Sequence, residues 1–353
     1  MILCKKCLMP DTRPRIRFTD GVCNACAYRD EYEKADWKQR EAEFRELLAQ
    51  HKGRGPYDCI VPFSGGKDSA AIAWRLKHHY GVKPLLVTYG QLMWTDAGRR
   101  NWQRVRDAGF EILYWGVDQE VSRKLARRFT IERGHPKQHY DAAVNAVPVI
   151  TAKQAGVPLI IYAEHGESFY GGHVLSEQHR RRRDLAEVLE NQVGDDARNW
   201  AADGITQRNL YPYIYPDNVG GIEAVYWSYY HRWSIYENAM LMRNKLGFEW
   251  IEPRTDGSFE GYDSIDDMID GLDFYLMYLK FGFGRATRMA SRLIQEGVIT
   301  RDQGLEMVTR HDGEFPEMYL PEVCKYLSMS RSELEQICEK HRNQALFEHK
   351  ENG

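Results

Sequence analysis

Pro62-Phe63-Ser64-Gly65-Gly66-Lys67-Asp68-Ser69 is the stretch whose reading decides the fold. Tyr57 to Phe63 reads as a short buried strand, and Asp68 to about His79 reads as a helix that ends at Gly81. A strand that turns through two glycines into a helix lets successive backbone N–H groups converge on an anion at the helix N-terminus. Ser64 and Ser69 offer hydroxyl donors, and Lys67 offers a mobile positive charge. Asp68 suits such a site if it handles Mg²⁺ or a polar group of the ligand. The spacing matches neither Gly-x4-Gly-Lys-Ser/Thr nor Gly-x-Gly-x2-Gly, so the two commonest phosphate and dinucleotide loops are excluded.

Working outward, Pro84 to Tyr89, Phe110 to Trp115 and Pro158 to Ala163 read as further strands. They alternate with helical patterns over Asp96 to Ala108, a stretch reaching about Arg133, and Tyr140 to Ala155. That alternation predicts an α/β fold, a parallel sheet with helices on both faces. Upstream, Arg29 to about Gln50 reads as helix with Trp37, Phe44, Leu47 and Leu48 on its apolar stripe. Beyond about Asn209 the pattern becomes aromatic, then mainly helical: one helix over Ser264 to Phe281, and two opened by capping boxes at Thr300/Gln303 and Ser330/Glu333. Tyr226, Trp227, Tyr229, Tyr230 and Trp233 read as core, Arg180 to Arg183 as a solvated helix face, and His349 to Gly353 as a frayed tail. The expected divisions are 1–36, 37–209 and 210–353.

The chain has 353 residues, 43% hydrophobic and 28% charged, with a net charge of -3. That balance supplies no electrostatic footprint for nucleic acid or for an anionic membrane. No apolar run reaches the eighteen residues a bilayer span requires, and the N-terminus lacks the build of a signal peptide. A cytoplasmic location is expected, where cysteines stay reduced. Four of the seven cysteines form Cys4-x2-Cys7 and Cys23-x2-Cys26, spacing that aims four thiolates at one tetrahedral centre. Structural Zn²⁺ is the expected occupant, since a closed four-cysteine site leaves no position for catalysis. Cys59, Cys324 and Cys338 are isolated.

The loop matches the SGGxDS signature and so resembles the PP-loop ATP-pyrophosphatase superfamily. The resemblance implies that Ser64, Gly65, Gly66, Lys67, Asp68 and Ser69 hold the pyrophosphate of ATP with Mg²⁺, the adenine lying near Thr88 and Tyr89. Glu164 and Glu167, after the later strand, would then face the same crevice as ligands of Mg²⁺ or as proton acceptors, with Lys67 and Asp68 also catalytic. Over its whole length the chain is similar to N-acetyl sugar amidotransferases of the WbpG/PseA type. The likeness rests on Cys4-x2-Cys7-x2-Pro10-x-Thr12-Arg13-Pro14, Gly21-Val22-Cys23-Asn24-Ala25-Cys26 and the loop itself. It continues in Thr95-Asp96-x-Gly98-x2-Asn101, Tyr170-Gly171-Gly172 and Lys280-Phe281-Gly282-Phe283-Gly284-Arg285.

That resemblance implies conversion of an acetamido group on a nucleotide-linked sugar into an acetamidino group, for surface polysaccharide such as lipopolysaccharide O-antigen. ATP would adenylate the amide oxygen and ammonia would displace AMP. Lys280 and Arg285 are candidates for the sugar's diphosphate or carboxylate. No glutaminase nucleophile is recognisable in the chain, so ammonia would come from partners similar to a HisH-type glutaminase and a HisF-type ammonia channel. Two other readings compete: a tRNA-thiolating enzyme, which would need a cysteine outside residues 4–26, and a non-catalytic zinc-ribbon adaptor.

Overall fold

A computed structural model describes residues 1–172, 176–185, 188–189 and 193–347; the tail expected at 349–353 lies outside them. The chain opens with a small hairpin, β1 (Phe18–Thr19) and β2 (Val22–Cys23), then α1 (Asn24–Tyr32) and α2 (Trp37–His51). Next come β3 (Cys59–Pro62), α3 (Lys67–His79), β4 (Pro84–Tyr89), α4 (Asp96–Asp107) and β5 (Glu111–Trp115). Then follow α5 (Gln119–Arg133), α6 (Gln138–Ala155), β6 (Leu159–Tyr162), α7 (Gly166–Tyr170), α8 (Glu177–Arg181) and β7 (Glu223–Tyr226). The remainder is helical: α9 (Trp227–Tyr230), α10 (Ile235–Leu246), α11 (Asp270–Phe281), α12 (Arg285–Gln295) and α13 (Arg301–His311). Three more close the chain, α14 (Leu320–Leu327), α15 (Arg331–His341) and α16 (Gln344–Phe347).

The sheet has the order β5-β4-β3-β6-β7, and every pair in it is parallel. Alternation along each strand feeds two cores. Ile60, Val87, Ile160 and Ala224 face one, under α5 and α6, while Val61, Leu86, Ile161 and Val225 face the other, under α2 and α3. After β3 the chain first builds outward through β4 and β5, then returns to build β6 and β7 on the other side. The switch point is therefore between β3 and β6, where a parallel sheet opens a crevice at its carboxyl edge.

Three details differ from the sequence reading. A fifth strand, β7, completes the sheet from residues 223–226, inside the aromatic stretch beyond 209, because its four residues pair with β6 and three of them are buried. The helix expected from Arg29 is two helices, and Asp36 caps the second by accepting from the N–H groups of Lys38 and Gln39. The helix expected over Ser264 to Phe281 begins only at Asp270. Residues 263–269 instead bend, with Ser264 at φ 47, and brace the loop that follows β4. There the Asp267 carboxylate accepts from the N–H groups of Leu92 (2.9 Å) and Met93 (3.0 Å).

The C-terminal helices share their core with the sheet. Leu272, Leu276 and Leu279 of α11, Val323 of α14 and Leu334 of α15 join the cluster that covers β3, β4 and β6. Thr300 closes a full capping box with Gln303, and Ser330 caps α15 by accepting from the N–H of Glu333. Tyr226, Trp227, Tyr229, Tyr230 and Trp233 are all buried. The Thr95-Asp96-x-Gly98-x2-Asn101 motif serves this docking. The Thr95 hydroxyl donates to Ile265 O and accepts from the Gly98 N–H (2.9 Å). Asn101 donates to Glu249 O (2.9 Å) and accepts from the Glu249 N–H (2.8 Å).

A Cβ on Gly98 would lie 2.7 Å from the Asp266 Cα, backbone that cannot swing away. Gly98→Ala is expected to cost about 1–3 kcal/mol, the usual penalty of overpacking, read as an earlier urea unfolding midpoint. An unchanged midpoint would mean that the two segments do not pack this closely.

Candidate functional site

The loop after β3 needs its glycines. Gly65 has φ +105, and a Cβ there would meet the Trp94 ring at 3.2 Å. Gly66 is the N-cap of α3, and the Ser64 hydroxyl accepts from its N–H at 3.2 Å. The loop thus leaves the central strand at the switch point and enters a thirteen-residue helix whose N-terminus favours an anion.

A cavity of about 340 Å³ opens in front of it. Ser64, Asp68 and Ser69 line one side, Val87 and Tyr89 of β4 another, and Glu164 follows β6 on a third. Asp68 is held by Asn238 of α10, whose side-chain amide donates to Oδ1 at 2.9 Å. Glu164 stands 3.4 Å from the guanidinium of Arg292 in α12. The C-terminal region therefore orients the two acidic groups of the cavity.

Other residues named from sequence fall elsewhere. Lys67 is not a mobile charge: it is 6% exposed, with Nζ 2.8 Å from Asp68 and 2.6 Å from Asp263. Burial alone would push its ammonium toward neutrality, but Asp263 and Asp68 hold it well above the ordinary lysine value. Thr88 points to the opposite face from Tyr89, as alternation along β4 requires, and its hydroxyl accepts from the Trp102 indole at 3.1 Å. Glu167 turns away on α7 to Arg15, 3.0 Å distant. Lys280 donates to the carbonyls of Arg133 (3.3 Å) and Gly134 (2.7 Å), closing the end of α5. Arg285 is buried and donates to the carbonyls of Asp263 and Ser264, beside a separate cavity of about 30 Å³. Both cations are engaged with backbone away from the large cavity.

Sequence reading missed the segment that closes the loop from behind, Asp263-Ser264-Ile265-Asp266-Asp267. Its acidic spacing beside a phosphate loop was the available signal. Asp266 lies against Gly66, its carboxylate 3.1 Å from where a Cβ would stand. Burial first, then neighbouring Asp270, raise its pKa to about 7.

Cys4, Cys7, Cys23 and Cys26 are all buried, and their sulfurs lie within 4.8 Å of one another. Sγ separations are 3.9 Å for Cys4–Cys26 and 3.7 Å for Cys7–Cys23. A tetrahedral thiolate centre with ~2.3 Å metal–sulfur bonds has sulfurs about 3.8 Å apart, so the four fit one metal ion. Backbone N–H groups of Met9 and Cys23 donate to the sulfurs of Cys7 and Cys4, and Arg301 donates to the Cys4 and Cys7 carbonyls. Such outer contacts fix the ligands and lock the module onto α13.

Residues 256–352 match the family model of the LPS biosynthesis protein WbpG-like C-terminal domain. The C-terminal part of the chain is thus WbpG-like. No curated protein matches it. Among solved structures, the NMN synthetase from Francisella tularensis is similar at 15% identity and a TM-score of 0.28, over 36% of this chain and 54% of that one. The chain thus spans about half the length of that synthetase. The U34-tRNA thiolase NcsA from Methanococcus maripaludis with its [4Fe-4S] cluster is similar at 10% identity and a TM-score of 0.28. That match covers 92% of this chain and 95% of the thiolase. No helix among the described residues is long and apolar enough to cross a membrane.

Two expectations follow. Elemental analysis should find about one metal ion per chain, absent from Cys7→Ser and Cys26→Ser, with both variants melting several degrees lower. Full metal content in either variant would contradict the cluster. Asp266 has a folded pKa of about 7 against an ordinary 3.8, so folding favours its neutral form. Its contribution is complete below 3.8 and is lost as pH rises through about 7. Asp266→Asn should therefore flatten the fall in stability between pH 5.5 and 7.5, leaving the variant about 1–3 kcal/mol more stable at the upper end. A slope matching that of the wild type would show that Asp266 is ionised throughout.

Proposed function

We propose that this chain, with its WbpG-like C-terminal part, is the ATP-dependent synthetase component of a sugar amidotransferase. It would adenylate the acetamido oxygen of a nucleotide-linked sugar and replace that oxygen with ammonia, giving an acetamidino sugar for surface polysaccharide. The observation that carries this reading is the shared cavity. An anion-binding loop at the switch point and one carboxylate, Glu164, line the same space, in a chain whose C-terminal part is a WbpG-like domain.

The chemistry explains the need for such a site. An amide oxygen is a poor leaving group. Attack of that oxygen on the α-phosphorus breaks the α–β bond of ATP, releases pyrophosphate and leaves an adenylate. Ammonia then adds to the activated carbon, and collapse of the adduct expels AMP. The loop N–H groups and the Ser64 and Ser69 hydroxyls would hold the departing pyrophosphate. Asp68, positioned by Asn238, would hold Mg²⁺, which supplies charge neutralisation when bound. Glu164 would accept the proton from the attacking nitrogen. The four thiolates would hold Zn²⁺, as an all-cysteine tetrahedral donor set suits that ion, in a structural role.

Two observations support this reading over thiolation. Burial raises the Cys59 and Cys324 thiols above the ordinary value and pushes Cys338 up to about 12, which is the wrong direction for a sulfur carrier. None of the three lines the cavity. Ammonia would reach the site from a separate HisH-like glutaminase through a HisF-like channel.

The test is a mass-resolved reaction with ATP, Mg²⁺, ammonium and UDP- and CMP-linked acetamido sugars. AMP and pyrophosphate should appear together with a sugar in which NH replaces O. AMP without a changed sugar would overturn the acceptor and redirect the search to tRNA. No AMP, even with a glutaminase supplied, would overturn the amidotransferase itself.

A further inference from the structure

The cavity has a wall that the chemistry above leaves unused. Tyr140 and Asn145 of α6, Tyr162 of β6 and Arg183 stand together there. Arg183 belongs to the run read from sequence as a solvated face; only Arg182 is exposed, and the first three members each have an acidic partner. Arg180 pairs with Glu31 at 3.0 Å, Arg181 with Glu43 at 3.7 Å and Arg182 with Glu223 at 2.8 Å. Arg183 has no carboxylate partner among the described residues. The chain carries it inward because Arg182 bridges to Val225 at the sheet edge, and the Arg183 N–H donates to Ala224 O at 2.9 Å.

Its guanidinium lies over the Tyr162 ring, 4.2 Å from the centroid, and Nη2 donates to Oδ1 of the Asn145 side chain. The Arg183 Nε and the hydroxyls of Tyr140 and Tyr162 are buried and lack hydrogen-bond partners among the described residues. Tyr140 is 6% exposed and Tyr162 is 8% exposed. A half-buried guanidinium without a counter-charge is costly, and each buried, unmade hydrogen bond adds to that cost. Such an arrangement is stable once an anion arrives. The phosphate loop already provides for the triphosphate at the opposite side. Beyond Arg183 a second cavity of about 330 Å³, also lined by His179 and Arg182, leads outward over the edge of the sheet.

We propose that Arg183, with Asn145, Tyr140 and Tyr162, forms an oxyanion subsite for the acceptor, taking a phosphoryl or carboxylate group of an anionic sugar. The acetamido end would then face the loop, and the rest of the acceptor would leave through the outer groove. This deepens the function proposed above and rests on it for the acceptor being a sugar. Planar, bidentate recognition of an oxyanion is what arginine does better than lysine.

The test is calorimetric titration of UDP and, separately, of glucuronate into protein loaded with a non-hydrolysable ATP analogue and Mg²⁺. Wild type should bind at least one probe, and Arg183→Gln should weaken that binding about 10- to 100-fold, leaving affinity for the ATP analogue within about twofold. A response to UDP identifies a phosphoryl group, and a response to glucuronate a carboxylate. If Arg183→Gln does not fold, Arg183→Lys is read instead; it keeps the charge, loses the fork and should give an intermediate loss. Equal weakening of the ATP analogue would assign Arg183 to the nucleotide and overturn the proposal. So would unchanged probe affinity, or no binding of either probe to wild type. Failure of the amidotransferase reading is distinct, because it appears as missing amidine product whatever the probes do.

Discussion

The Lys67 ammonium sits between the carboxylates of Asp68 and Asp263, and most of the site's geometry depends on that contact. A buried charge is tolerated only when paired and hydrogen-bonded. Here one partner is a neighbour in the loop and the other lies 196 residues away. The pair therefore fixes the loop against the segment that precedes α11. Burial would raise the pKa of Asp263, but Lys67 and then Arg285 hold it below the ordinary carboxylate range. Arg285 completes the joint by donating to the Asp263 and Ser264 carbonyls.

The cysteine module makes a second joint at the other end of the same helices. Arg301 of α13 reaches the Cys4 and Cys7 carbonyls, and Thr12 donates to the Phe281 carbonyl at the end of α11. Arg13 and Asn24 donate to the carbonyls of Gly171 and Gly172, just after α7. Gly171 has φ +83, and a Cβ there would strike Ile16 at 2.8 Å. The module thus braces both the C-terminal helices and the chain that follows Glu164. Its influence on the cavity is mechanical, through the elements that carry Glu164 and Arg292.

These two joints give physical content to motifs that are recognisable as patterns. Gly98 allows the Asp266 backbone to approach, Asn101 ties α4 to residue 249, and Lys280 closes α5. Each is a contact between the sheet-bearing part of the chain and the region after it, or within the shared core. Side chains that look like ligand groups in a sequence, notably Lys280 and Arg285, are engaged in holding the halves together. The cavity's polar groups come instead from the loop after β3, from α6, from Tyr162 and Glu164 at the end of β6, and from the segment after α8.

Local pattern alone determined a good deal. Strand, loop and helix around Ser64-Gly65-Gly66, the parallel alternation, the paired cysteines and the capping of α13 all follow from spacing over a few residues. They are legible because hydrogen bonding within a turn or helix, and the two-residue period of a strand, are local constraints. What the tertiary structure decided involves partners far apart in sequence. Lys67 turned inward because Asp263 is there, Glu167 turned outward to Arg15, and Arg183 entered the cavity because Arg182 found an edge at Val225. Thr88 and Tyr89 went to opposite faces once β4 took its place in the sheet. No short window of sequence encodes those choices, since the direction a charged side chain takes is set by whichever counter-charge or carbonyl the folded chain brings within reach.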